Sequence, residues 1–308
     1  MTVELRAPTL DDVTALTALV NRVSDEFYGE DDETEDTVRL WLTGPDLDPE
    51  TDARIALSGG EIRGYADLGA HPEPRYWADL RVPLSESEDV RTALFDWLEA
   101  RARERAEGKQ DAVLRFFDWS VDEPEKLLLE RSGYRLIRHS YRMRIDFEGE
   151  LPPPPEWQTS LRVRTVTDAD LDAVYETHQE TFEDSWEHTR DSREEWEHWM
   201  RSEGFDPTLW VLVEEDGEPA GVSLCRLLET ESGLGWVSVL GVRRPWRRRG
   251  LGRALLLHSF RELQRRGCRA VGLGVDAESL TGANRLYEQA GMRVVRRGDI
   301  YERALSGT

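Results

Sequence analysis

Val237-Ser238-Val239-Leu240-Gly241-Val242 runs directly into Arg243-Arg244-Pro245-Trp246-Arg247-Arg248-Arg249-Gly250-Leu251-Gly252-Arg253-Ala254. Three of the first six residues are valine and only Ser238 is polar, the pattern of a buried strand. Pro245 and the glycines mark a turn. From Leu251 the apolar positions Ala254, Leu255, Phe260 and Leu263 recur at helical spacing up to Arg265, and Gly267 caps the end. A strand feeding a glycine-bearing, arginine-rich turn and then a helix is an anion cradle. Glycine lets backbone approach a ligand closely, and the free N–H groups of the first helical turn point at it. The helix dipole adds partial positive charge at the same place. The turn has neither the Gly-Lys-Ser/Thr of a nucleoside-triphosphate loop nor the Gly-x-Gly-x-x-Gly of a dinucleotide site.

Outward from this stretch, the chain repeats itself. Leu5-Arg6-Ala7-Pro8-Thr9-Leu10-Asp11-Asp12 reads like Leu161-Arg162-Val163-Arg164-Thr165-Val166-Thr167-Asp168, a short strand and then a Thr/Asp cap that opens a helix. Asp48-Pro49 precedes a hairpin that turns at Gly59-Gly60, and Asp206-Pro207 precedes one that turns at Asp216-Gly217. Leu128-Leu129-Glu130-Arg131-Ser132-Gly133-Tyr134 matches Leu286-Tyr287-Glu288-Gln289-Ala290-Gly291-Met292. These offsets of 156 to 158 residues are those of a tandem duplication. Pro152 to Pro155 form a stiff spacer. The expected organisation is a first domain over 1–148, a linker over 149–158 and a second domain over 159–308. The second reads as strand, two helices, hairpin, strand, long helix, strand, helix and a closing strand pair, an α+β domain around a mostly antiparallel sheet.

At 308 residues, with 39% hydrophobic and 33% charged content, the composition is that of two well-solvated globular domains. No apolar stretch approaches the roughly 20 residues that span a bilayer. Met1 to Asp12 lacks the pattern of a secretory signal, so a cytoplasmic location is the expectation. Cys225 and Cys268 stand far apart in apolar contexts and read as buried free thiols. The net charge of −22 argues against nucleic-acid binding, which needs cations to displace phosphate counterions.

Arg247-Arg248-Arg249-Gly250-Leu251-Gly252 resembles the Arg/Gln-x-x-Gly-x-Gly/Ala cofactor loop of the GNAT acetyltransferases. Ala283-Asn284-Arg285-Leu286-Tyr287-Glu288-Gln289-Ala290-Gly291-Met292 resembles that family's Ala-x-x-Leu-Tyr-x-x-x-Gly-Phe helix, with Met292 for Phe and Ser279 where an Asn is frequent. The resemblance implies two tandem GNAT-like domains and acetyl-CoA as acyl donor. It makes Arg247, Arg248, Arg249, Gly250, Leu251, Gly252, Arg253 and Ala254 the cofactor loop. Main-chain N–H groups from about Arg248 to Arg253 would hold the CoA pyrophosphate. Leu240 and Val242, on a splayed strand, would pair with the pantetheine arm, and one of their N–H groups would stabilise the oxyanion. Asn284 would lie beside the cofactor, and Tyr287 would be the general acid that protonates the departing thiolate.

At the equivalent place the first half runs Tyr76-Trp77-Ala78-Asp79-Leu80-Arg81-Val82-Pro83-Leu84-Ser85-Glu86-Ser87-Glu88-Asp89, with no glycine and no arginine cluster, and Leu129 stands where Tyr287 does. The first half therefore reads as a degenerate copy. One silent and one intact half resemble mycothiol synthase and related actinobacterial two-domain acetyltransferases. Direct acetyl transfer to the primary amine of a small molecule or peptide in a ternary complex is the leading expectation. An acyl-CoA sensor or scaffold without turnover is the alternative, and mycothiol synthesis is a narrower enzymatic version. The general base stays open: Trp236 and Ser238 occupy the acceptor side of the strand, and Glu229, Glu231 and Asp276 are the nearest carboxylates. Phe182, Trp186, His188, Trp196, His198 and Trp199 form an aromatic stretch that either roofs the acceptor pocket or buries a helix face. His188 and His198 have no metal-ligand spacing, and no metal is expected.

Overall fold

Arg6 and Arg164 open the two copies with the same contact. Arg6 donates to both oxygens of Asp12 at 2.8 and 2.7 Å, and Arg164 to both of Asp170 at 2.6 and 2.7 Å. Thr9 and Thr167 give their N–H and hydroxyl to the same carboxylates. Each set is a capping box that starts a helix. The guanidinium beside it holds the Asp12 carboxyl down to about 2. The register between copies is therefore 158 residues here (170 − 12), and the pairing of Leu5 with Leu161 read from sequence is two residues off. Cap geometry, not apolar identity, sets the register.

The computed structural model describes residues 3–70, 73–147, 154–200, 206–228, 233–279 and 281–305, so Pro152 and Pro153 of the spacer lie outside it. The first copy runs β1 (Glu4–Arg6), α1 (Val13–Tyr28), α2 (Glu35–Leu42), α3 (Pro49–Asp52), β2 (Ala53–Ser58), β3 (Glu61–Ala70), β4 (Arg75–Arg81), α4 (Glu88–Ala106), β5 (Val113–Trp119), α5 (Glu123–Arg131) and β6 (Arg135–Asp146). The second runs β7 (Leu161–Thr165), α6 (Leu171–Phe182), α7 (Arg193–Met200), β8 (Trp210–Glu215), β9 (Glu218–Leu227), β10 (Leu234–Val242), α8 (Leu251–Arg265), β11 (Ala270–Asp276), α9 (Ala283–Gln289) and β12 (Arg293–Ala304). Both hairpins turn as expected, with positive φ at Gly59, Gly60, Asp216 and Gly217. Among the described residues no helix is long and apolar enough to cross a membrane.

The chain folds into two compact units that do not follow the linear division. Unit 1 holds Met1–His139, Glu197–Ser202 and Arg297–Thr308, and unit 2 holds Ser140–Trp196 and Glu203–Arg296. In unit 1, β1 to β4 are antiparallel neighbours, β4 pairs parallel with β5, and β5 pairs antiparallel with Gly298–Ala304 of β12. In unit 2, β7 to β10 are antiparallel neighbours, β10 pairs parallel with β11, and β11 pairs antiparallel with Ser140–Asp146 of β6. Each sheet is mixed, mostly antiparallel and flanked by helices. The last strand of each is supplied by the other copy, so boundaries at 148 and 159 cut both sheets. The expected closing strand pair is one strand, β12.

Helices bury against both faces of each sheet. In unit 1, Leu94 and Leu98 of α4 pack on Ala66, Leu68 and Ala78, and Leu16 and Leu19 of α1 pack on Ile55 and Tyr65. In unit 2, Leu251 and Leu255 of α8 pack on Val211, Val213 and Ala220, with Leu240 and Val242 partly buried beside them. Cys225 and Cys268 are both free and buried.

Candidate active site

β10 and β11 pair over three residues only, Leu234 with Ala270, Gly235 with Val271 and Trp236 with Gly272. Beyond Trp236 the strands part, while β10 stays on β9 as far as Val242 and β11 stays on β6 as far as Asp276. The result is a gap in the sheet, edged on one side by Val237 to Val242. Arg243 N–H donates to the Ala220 carbonyl of β9 at 3.0 Å. Backbone groups alternate sides along a strand, so the Gly241 N–H also faces β9, and those of Leu240 and Val242 face the gap.

A bulge sets this orientation. The β9–β10 register shifts between Val237 and Val239, leaving Ser238 unpaired. The shift moves Leu240 and Val242 onto the same face as Val237, the face covered by α8. Without it they would face α6. Ser238 Oγ is buried and takes no partner among the described residues. On the α6 face, Gly241 lies so close to Thr181 that a Cβ would stand 2.3 Å from its hydroxyl oxygen.

The turn after β10 ends on Gly250 in the left-handed region (φ +81°), and Arg248 adopts the same region at φ +62°. Ala254 N–H bonds to the Gly250 carbonyl at 3.0 Å, the first rung of α8. The N–H groups of Leu251, Gly252 and Arg253 therefore have no acceptor within the helix. The two glycines differ in purpose. A Cβ on Gly250 would meet nothing within 4 Å, so its need is conformational and the space over it is open. A Cβ on Gly252 would stand 3.2 Å from Leu286 Cδ1 and 3.7 Å from Val242 Cγ2, so that position needs a small residue where α8 meets α9 and β10.

Most of the arginines in this turn hold protein, not open space. Arg243 donates to Glu180 at 2.7 Å and to the Pro219 carbonyl at 2.9 Å. Arg244 and Arg247 share Asp184, and Arg247 Nε also bonds the Val242 carbonyl at 3.0 Å. Arg249 pairs with Glu215 at 2.8 Å and with Gln158 at 2.9 Å, drawing the Glu215 carboxyl down to about 2. Only Arg248 and Arg253 of the turn, both exposed, have no side-chain partner among the described residues. Trp157 and Gln158, placed in the linker from sequence, belong to this packing: Trp157 lies against the Leu251 and Leu255 cluster.

On the far side stands α9. Asn284 Nδ2 donates to the carbonyls of Asp276 and Ala277 at 3.0 and 2.9 Å, tying α9 to the end of β11, and its Oδ1 is buried without a donor. The Tyr287 ring is 8% exposed. Its hydroxyl has no hydrogen-bond partner among the described residues, and desolvation pushes it up to about 12.

Trp236 spreads over β11, where a Cβ on Gly272 would come within 2.7 Å of its ring, and Arg142 lies over the indole at 5.2 Å. Asp276 accepts the Glu278 N–H at 2.9 Å, a turn contact, and Glu229 and Glu231 lie outside the described residues. Trp196 is buried at 3%, packed on Tyr175 and Trp210, which supports the helix-face reading for that residue. His198 bonds the Leu40 carbonyl at 3.1 Å within unit 1. Sequence reasoning passed over His178. Its ring packs edge-on against Phe182 at 5.1 Å, one turn before the Thr181–Gly241 contact, and burial lowers its pKa below that of free imidazole. It therefore stands neutral near pH 7. The signal lay in the spacing of His178, Thr181 and Phe182 on one helix face.

The model of the Acetyltransferase (GNAT) family matches residues 171–292. The mycothiol acetyltransferase of Streptomyces coelicolor is 30% identical over 256 residues, covering 82% of this chain and 80% of that protein. That of Amycolatopsis mediterranei is 29% identical, covering 81% and 89%. A GCN5-related N-acetyltransferase from Sphaerobacter thermophilus superposes with a TM-score of 0.81 and 31% identity, over 99% of this chain and 96% of that one. A tandem GNAT protein of the clavulanic acid biosynthesis pathway shares the fold over all of both chains, with a TM-score of 0.77 and 17% identity.

Proposed function

Because the chain belongs to the GNAT acetyltransferase family, and so is an acyltransferase, we propose that it transfers the acetyl group of acetyl-CoA directly to a primary amine at the β10–β11 gap of unit 2. The observation that carries this reading is the gap itself. Unpaired N–H groups of Leu240 and Val242 edge it, and the open N–H groups of α8 stand at its end.

The residues fit a pyrophosphate and a thioester arm. Leu251, Gly252 and Arg253 offer three helix-terminal N–H groups to the phosphates, and the open space over Gly250 admits them. Leu240 and Val242 offer donors to the amides of the arm and to the carbonyl oxygen where negative charge develops, which is worth ~3–4 kcal/mol per well-placed donor. Acetyl-CoA, when bound, supplies the activated acyl group.

Tyr287 keeps its proton throughout the neutral range, since its hydroxyl is pushed up to about 12. A thiol of ordinary pKa near 8.5 is the stronger acid of the two. Tyr287 therefore acts first as a hydrogen-bond donor to the leaving sulfur, and transfers its proton fully only where that sulfur is itself desolvated. An amine of pKa near 10.4 must lose a proton before attack. Neutral His178, on the helix that touches β10, is our candidate to accept it.

Mycothiol synthesis is the narrower form of this reading, supported by the 30% identity to a protein named mycothiol acetyltransferase over 82% of the chain. Calorimetry with acetyl-CoA on the wild type and on a Gly250→Glu, Gly252→Glu variant tests the site. Thiol release with a panel of amines that includes a cysteinyl aminoglycosyl-inositol tests the acceptor. One equivalent bound by the wild type and none by the variant supports the reading. Absence of binding by the folded wild type overturns it.

A further inference from the structure

Unit 1 buries acid where unit 2 has its gap. β4 and β5 pair from Arg75–Val113 to Ala78–Phe116 and then part. Past the parting, Asp118 lies on β5, Asp122 caps α5 and Glu125 sits in its first turn. The three are 7%, 4% and 1% exposed, and each offers an oxygen within 4.8 Å of those of the others. Asp122 accepts the Glu125 N–H at 2.9 Å, which fixes the two relative to each other.

Two observations separate this cluster from a satisfied ion-pair network. The carboxylate of Asp118, a residue more than nine-tenths buried, has no hydrogen bond or ion pair among the described residues. Glu125 Oε1 is buried with no donor. Arg91 is the resident cation, with one nitrogen 3.3 Å from Asp122 and 3.1 Å from Glu125. Nearby Arg81 is already paired with Asp79 at 2.8 Å. Asp299, opposite Asp118 on the neighbouring strand, is paired with His139 and Arg297 at 2.8 Å. Three carboxylates against Arg91 leave two negative charges in a buried place, which is unfavourable unless something neutralises them.

We propose that Asp118, Asp122 and Glu125 form a binding site for one divalent cation of the oxygen-preferring kind, magnesium, manganese or calcium. The donor set is carboxylate alone, without the thiolate or imidazole that selects zinc. The residual charge matches one dication. When the cation is absent, protons take its place, in keeping with burial and mutual repulsion raising the Asp118 and Glu125 carboxyls above their ordinary range. Cation and protons compete, so affinity rises with pH. The Asp79–Arg81 pair, 30% and 20% exposed, lies near enough to act electrostatically on Glu125. This site is independent of acyl transfer.

The test is titration of the intact, chelator-stripped protein with manganese, reading free Mn²⁺ by electron paramagnetic resonance at about pH 8 and about pH 5.5 in moderate salt. We expect one tight equivalent at the higher pH, weaker binding at the lower, and displacement by excess calcium or magnesium. Asp118→Asn and Glu125→Gln should each abolish it. Asp118→Asn removes a buried like charge and so should fold at least as well as the wild type, which circular dichroism checks. Absence of a tight equivalent in the wild type overturns the proposal, as does undiminished binding by either folded variant. Should both variants fail to fold, the wild-type stoichiometry decides the matter alone: one tight equivalent upholds it, and any other result overturns it.

Discussion

In unit 2, β10 leads through eight residues (243–250) to α8, and the N–H groups at the start of that helix are left open beside Gly250. In unit 1, β4 leads through six residues (82–87) to α4, and a carboxylate already occupies the turn: Glu26 of α1 accepts the Leu84 N–H and, at 2.6 Å, the Ser85 hydroxyl. Glu86 beside it is held by Arg22 and Arg63 at 2.9 and 3.2 Å. The same strand–turn–helix thus leaves its helix-terminal N–H groups open in one unit and covers the turn with a carboxylate of its own chain in the other. Past the turn the contrast continues, with hydrophobic Leu240 and Val242 edging one gap and buried carboxylates filling the other. A duplicated fold has kept its sheet and changed the side chains that edge its gap.

The largest effect should come from making the open turn resemble the closed one. The Gly250→Glu, Gly252→Glu variant places two carboxylates among the helix-terminal N–H groups, and Gly250 also leaves a conformation that side chains rarely adopt. We expect acetyl-CoA binding to vanish in calorimetry, while Glu26→Ala in unit 1 leaves the stoichiometry at one per chain. A second equivalent, or one that survives the double change, would break the contrast between the units.

Tyr287 against Leu129 is the next contrast. Tyr287→Phe keeps the ring in its buried place and removes only the hydroxyl. We expect kcat to fall by about 10²–10⁴, with KM for the thioester little changed. The wild-type rate should show no alkaline fall from this group until pH nears 12. Unchanged turnover would leave the leaving sulfur to solvent.

A smaller effect tests the acid side. The Asp67 carboxyl of unit 1 is pushed up to about 7 by burial and by neighbouring Asp79. A carboxyl whose folded pKa is raised costs stability as pH climbs from the unfolded value, about 3.9, to the folded one. In chelator-stripped protein, stability should therefore decline between about pH 4 and pH 7, and Asp67→Asn should flatten that decline, adding ~2 kcal/mol near pH 8 after allowance for solvent access. Urea titrations across that range check it. Parallel curves for the variant and wild type would mean that Asp67 ionises freely.

Much of this was legible in the sequence where the causes are local. Gly59-Gly60 and Asp216-Gly217 specify their turns by φ, and α8 spans Leu251–Arg265 as its apolar stripe predicts. The parts that escaped depend on distant partners. No local pattern announces that β12 leaves its own copy to close the sheet of unit 1, because a strand edge records its partner in hydrogen bonds, not in side-chain type. The bulge at Ser238 reverses which face Leu240 presents, yet the alternation around it is too apolar to show a slip. The run of arginines looked like an anion site throughout, and the carboxylates that neutralise most of it lie about 30 to 60 residues away, at Glu215 and Asp184.

That last point yields the finest test, because neighbouring arginines now have opposite expectations. Arg248 stands exposed beside the open helix end with no side-chain partner among the described residues, and Arg249 is held by Glu215 and Gln158. Arg248→Ala should weaken acetyl-CoA binding roughly ten-fold, the size of one charge-assisted hydrogen bond. It should also flatten the salt dependence of binding, since a charge aimed at phosphate is screened as salt rises. The melting temperature should hold, because alanine keeps the same left-handed backbone and the Arg248 side chain has no contact among the described residues to lose. Arg249→Ala should do the reverse. It takes the guanidinium from Glu215, which keeps Trp246 and Ser160, and from Gln158, lowers the melting temperature and leaves the salt slope of binding as it was. If the two variants behave alike in both measurements, the turn binds as a diffuse basic patch, and the division between arginines that hold the protein and one that meets the ligand fails.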